Sequence, residues 1–108
     1  MKESFRKDFV NALDKMLTDL YKQNRLTHHF IAVLHIFNPK DNYYGIEFSL
    51  FLTEYDKSDE LFDYDYKRFR DILVNEYNFE FVEDLGTSFR FIAPKEAVEN
   101  LAVLWRIR

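Results

Sequence analysis

Phe30-Ile31-Ala32-Val33-Leu34-His35-Ile36-Phe37, then Asn38-Pro39-Lys40-Asp41-Asn42, then Tyr43 through Thr53 is the stretch whose reading decides the fold. The first run is nearly all apolar. In the second, Tyr44, Ile46, Phe48, Leu50 and Leu52 fall on one side; Gly45, Glu47, Ser49 and Thr53 fall on the other, and Phe51 interrupts that polar row. Alternation with period 2 marks strands, and the Asn-Pro-x-Asp-Asn break between them marks a loop. The stretch predicts a β-hairpin. Its first strand, 30–37, is expected to be buried and central, because an unbroken apolar run needs cover on both faces, from the chain itself or from a partner molecule.

Outward from the hairpin, the period changes. Before it, Phe5, Phe9, Val10, Leu13, Met16, Leu17, Leu20 and Tyr21 recur at steps of three and four, the stripe of an amphipathic helix ending near Asn24, with Ser4 as candidate N-cap. After it, residues 54–60 are polar and without period, a loop. Phe62, Tyr66, Phe69, Ile72, Leu73 and Tyr77 then predict a second helix from Phe62 to Tyr77. Period 2 returns at Phe79–Glu83, followed by a turn at Asp84-Leu85-Gly86-Thr87 and a return strand over Ser88–Ile92. Pro94 opens a last helix reaching about Trp105. The order helix, hairpin, helix, hairpin, helix predicts an α+β fold: a mostly antiparallel four-stranded sheet with helices packed on one face.

Composition narrows the function. The 108 residues suit a single domain, 1–108, and 47% of them are hydrophobic. The absence of Cys excludes a disulfide framework, a thiolate nucleophile and a cysteine-ligated metal. No apolar run approaches the roughly 20 residues that span a bilayer, and no secretory signal is read at the N-terminus, so a soluble, cytoplasmic protein is expected. Two glycines cannot build a phosphate-cradling loop, and no serine sits in a Gly-flanked elbow. His29 and His35 are placed about 20 Å apart by strand spacing, too far to share a metal ion. No metal, cofactor or catalytic set is expected.

Charge is concentrated instead. Glu54, Asp56, Asp59, Glu60, Asp63 and Asp65 face a single base, Lys57, within twelve residues, a charge of −5 where the whole chain carries −4. The segment lacks the turn glycine of a calcium loop. Its carboxylates are interleaved with Tyr55, Phe62, Tyr64 and Tyr66. Charge that steers and rings that anchor are the means by which a docking surface captures a basic protein. The candidate contact residues are Tyr55, Asp56, Asp59, Glu60, Phe62, Asp63, Tyr64 and Asp65. A small, acidic, aromatic-rich domain without catalytic groups shares this profile with inhibitors, immunity proteins and antitoxins, a likeness of composition alone. The alternative is nucleic-acid binding, with rings of the sheet face for stacking and Arg90, Lys67 and Arg68 near phosphates. A homodimer through an uncovered sheet face or edge is compatible with the first reading.

Overall fold

The structure is a computed structural model that describes residues 3–52, 62–86 and 88–106, with side chains in the second stretch described from 64 onward. Helix α1 spans Glu3–Lys22, strands β1 and β2 span Phe30–Phe37 and Tyr43–Leu52, and helix α2 spans Phe62–Tyr77. Strands β3 and β4 cover Glu80–Asp84 and Phe89–Pro94, and helix α3 covers Lys95–Arg106. Four antiparallel strands form one sheet in the order β1-β2-β4-β3. The fold is α+β, with three helices against that sheet. None of the described helices is long and apolar enough to cross a membrane.

The helix ends follow from local chemistry. Asn24 and Asn78 take positive φ, 60° and 61°, a conformation asparagine tolerates better than other residues with a Cβ. After α1 the amides of Arg25 and Leu26 both return to the Leu20 carbonyl, at 2.9 and 3.2 Å. After α2 the Phe79 amide returns to Leu73, at 3.1 Å. These bonds satisfy carbonyls that a helix end leaves orphaned. Ser4, proposed as a cap, lies inside α1. The start of α3 is tied to the first hairpin, since the Lys95 amide donates to the Asn42 carbonyl at 2.9 Å.

The core sits between the sheet and the helix layer. Alternate strand residues point into it: Phe30 and Leu34 from β1, Tyr44, Ile46, Phe48 and Leu50 from β2, Phe89, Phe91 and Ala93 from β4. They meet Phe9, Leu13, Met16, Leu17 and Leu20 of α1, Phe69, Ile72 and Leu73 of α2, and Val98, Leu101 and Trp105 of α3. Rings meet edge to face at the centre: Phe48 lies 5.8 Å from Phe69 and 5.5 Å from Phe91. Such pairs add about 0.5–1.5 kcal/mol each beyond the area they bury. The Tyr66 hydroxyl donates to the Leu50 carbonyl and accepts from the Leu50 amide, both at 3.1 Å.

One expectation is overturned. Strand β1 is not central; it is an edge of the sheet, and β2 and β4 lie inside. Its apolar run is divided by the pleat. Even-numbered residues face the core, while Ile31 and Val33 are 46% and 55% exposed on the far side. A nearly apolar run therefore reflects one covered face and one largely apolar face that no described element covers.

Candidate functional site

The far face of the sheet carries no helix among the described residues, and the pairing register fixes what it displays. At one end Ile31 of β1 pairs with Phe51 of β2, itself 53% exposed. Val33, opposite Ser49, adds to that apolar patch. The next row crosses all four strands: His35, Glu47, Arg90, Glu83. At the end Tyr43 pairs with Pro94, with the Lys40 ammonium 4.3 Å over the Tyr43 ring, and before that comes the row Phe37, Gly45, Ile92, Glu80. In it the Phe37 ring lies flat over Gly45, where a Cβ would run into it. Glycine is required there so that an aromatic ring can lie against backbone.

The four-strand row is an ion chain. Arg90 Nη1 donates to Glu83 Oε1 at 2.7 Å, and Arg90 Nη2 is 3.6 Å from Glu47 Oε2. Ser88 Oγ donates to Glu47 Oε1 at 3.0 Å. Arg90 also stands 5.9 Å over the Phe37 ring, and its Nε is buried without a hydrogen-bond partner. With Glu80 at the margin, this half of the face holds three carboxylates against Arg90 and Lys40, a small net negative charge. A phosphate backbone needs the reverse balance. Lys67 and Arg68, the other proposed phosphate contacts, stand on α2 in the layer behind the sheet.

The acidic segment resolves differently from its reading in sequence. Tyr55, Asp56, Asp59 and Glu60 lie outside the described residues, and Phe62 and Asp63 open α2 without described side chains. Tyr64 is on the surface, 48% exposed, with the Arg68 guanidinium 5.8 Å over its ring. Asp65 is not a surface contact, which corrects its assignment: it is fully buried. Its Oδ1 accepts the Thr27 amide at 2.8 Å, and its Oδ2 accepts the Thr27 hydroxyl at 2.6 Å and His28 Nδ1 at 2.9 Å. Helix spacing explains the change, because Asp65 shares a face with Phe69 and Ile72 and is turned inward with them. Tyr66, the neighbouring ring of the proposed patch, is likewise buried on Leu50.

Threonine, histidine and a buried aspartate at hydrogen-bonding distance invite comparison with a nucleophilic relay. Here the threonine hydroxyl and the carboxylate both face the same ring nitrogen, Nδ1. A relay requires nucleophile and carboxylate on opposite nitrogens. The cluster bolts the α1–β1 connection to the first turn of α2. His35 is exposed on the open face and stacks on Phe37 at 6.0 Å.

An open groove of about 490 Å³ lies between α1 and Trp105, lined by Asp14, Lys15, Thr18, Asp19 and Lys22. Burial raises the Asp14 carboxyl above its usual range, and His29 works against that shift. The lining mixes two carboxylates with two lysines, and the Thr18 hydroxyl is engaged by the Asp14 carbonyl and His29 Nε2, both at 2.9 Å. Among the described residues no group of His, Asp and Glu side chains is arranged to hold a metal ion. Comparison of the chain with family models, curated proteins and solved structures finds no match.

Sequence reasoning offered the sheet face for base stacking or a homodimer, and looked for the basic partner's contact in the acidic segment instead. The signal was present in the odd-numbered residues Ile31, Val33 and Phe51, which share one side of the hairpin and are apolar where a wet face is ordinarily polar.

Proposed function

We propose that this chain is a small cytoplasmic protein-binding module of the inhibitor, immunity or antitoxin type, which holds a basic protein partner and transforms no substrate. The observation that carries this reading is the sheet face that no described helix covers, where Ile31, Val33 and Phe51 stand exposed beside Glu47, Glu80 and Glu83. Exposed apolar side chains supply desolvation at the centre of a contact, and an acidic margin supplies steering toward a positively charged surface. The fixed strands hold these groups at set spacings, so little ordering cost falls on binding. The nucleic-acid alternative meets carboxylates where phosphates would sit.

The test is capture of a basic protein by the immobilised chain across a salt series. Phe51→Ala combined with Glu80→Lys and Glu83→Lys is expected to weaken capture by about a hundredfold, about 2.7 kcal/mol. Wild-type capture should weaken as salt rises. Capture that ignores both the triple variant and salt would remove this surface. The Asp59, Glu60 and Asp63 alanine variant measures in the same assay what the acidic segment adds.

A further inference from the structure

The two edges of the sheet are built in opposite ways. Strand β3 has five residues, its register with β4 shifts between Phe81 and Glu83, and Glu80, Glu83 and Asp84 are all exposed. A short, bulged, charged edge is the usual protection against pairing with another strand. Strand β1 has none of these features. It is eight residues long, pairs with β2 from Phe30↔Leu52 to Phe37↔Gly45 without a shift, and contains no Asp, Glu, Lys, Arg, Pro or Gly. One guard reaches it from outside: Arg6 Nη2 of α1 donates to the Leu34 carbonyl at 3.2 Å.

That bond also gives the polarity of the edge. In an antiparallel strand the amide and carbonyl of one residue point the same way, and successive residues alternate. With the Leu34 carbonyl directed away from β2, the amides and carbonyls of Ala32, Leu34 and Ile36 form the outer rail. No described strand lies beyond it.

We infer that β1 is a self-association edge, and that two copies of the chain join antiparallel through it about a twofold axis near Val33, making one continuous eight-stranded sheet. The self-complementary register, Ala32 of one copy against Leu34 of the other, selects a second copy, and charge selects this edge of the two. Each chain carries −4, and pairing through β3 would set carboxylate against carboxylate. At β1 two acidic chains meet where neither presents an acid. The twofold places Val33 against Val33 and Ile31 near His35 on the open face, so the apolar patches of both copies merge into one. A strip about 27 Å long, from eight residues at about 3.4 Å, and about 20 Å deep through sheet and helix layers puts roughly 500 Å² a side into contact. The total of about 1,000 Å² is the minimum a specific interface has to bury and corresponds to a weak, reversible dimer. The helices of both copies stay on the same side of the joined sheet, and the acidic row stays open for a partner.

The test is sedimentation of the purified chain over a concentration series, with amide exchange on the same samples. The wild type is expected to move from 13.2 kDa to twice that mass as concentration rises. Val33→Lys, a charge at a site already 55% exposed, should leave the far-UV spectrum unchanged and weaken association by about tenfold or more. The Ala32 and Leu34 amides should exchange more slowly in the dimer than in the variant. A wild type that stays at 13.2 kDa throughout, or a dimer in which those two amides exchange as fast as in the variant, overturns the inference. Because only this chain is present, the outcome is independent of whether a basic partner is captured.

Discussion

Phe48 and Phe51 stand three residues apart on one strand, and the sheet sends them to different worlds. Phe48 is fully buried between Phe69 and Phe91; Phe51 is 53% exposed on the face without helices. Residue type does not distinguish them. Position parity does, because successive side chains of a strand leave on opposite faces. In β1 and β2 even positions face the core and odd positions the far side; in β4 the parity is reversed, with Phe89, Phe91 and Ala93 in the core.

The largest effect should come from testing that division directly. Phe48→Ala is expected to cost about 3–5 kcal/mol of folding stability, the range for a buried ring left as a cavity. Phe51→Ala should fall within about 0.5 kcal/mol, as surface changes do. Denaturant titration of both variants decides it, and equal losses would mean that the odd face is covered. A second contrast sets two carboxylates side by side. Asp65→Ala leaves the Thr27 amide and the His28 ring without their acceptor and is expected to cost about 3 kcal/mol. Glu83→Ala breaks a half-exposed pair with Arg90 and should cost under about 1 kcal/mol. Comparable melting points for the two would place Asp65 on the surface after all.

The smallest effect is read at alkaline pH. Burial raises the Tyr66 hydroxyl above its ordinary value of 10.0, the Leu50 backbone bond pulls the other way, and Asp84 adds to the rise. An acid whose folded pKa exceeds its unfolded one contributes stability that is whole below the unfolded value and is lost as pH climbs through the folded one. Wild-type stability should therefore fall above about pH 10. Tyr66→Phe is expected to start about 1–2 kcal/mol lower, with Leu50 unpaired, and to show a shallower alkaline loss. Thermal melts from pH 8 to 11 compare the slopes, and parallel curves would sever the link to Tyr66.

Local signals were readable and long-range ones were not. The apolar run over 30–37, the alternation from Tyr43 and the helical stripe from Phe62 to Tyr77 mark β1, β2 and α2 in the sequence, because each depends on neighbours within a few residues. Gly86 was marked as a turn residue and has φ of 87°. Asn24 and Asn78 carried the helix terminations, a weaker sign than glycine. The pairing of β2 with β4 was out of reach, since it joins residues on the far sides of a helix and is decided by the shared core. The position of β1 was misread for that reason: an apolar run shows that neither side of a strand is polar, not that both are covered. Asp65 looked like one carboxylate of six, and only the phase of α2 against Phe69 separates it from the rest.

The doubly bonded phenol of Tyr66 has a consequence for the outline of the sheet. Strand β4 starts opposite Phe48, so beyond that point, among the described residues, β2 runs on with a strand, β1, on one flank only. An extended peptide sliding into such a notch would need the Leu50 amide and carbonyl, and one side-chain hydroxyl already occupies both. The gap is plugged without spending a strand on it, and any chain seeking backbone ladder bonds is turned away from the interior of the sheet toward its outer margin.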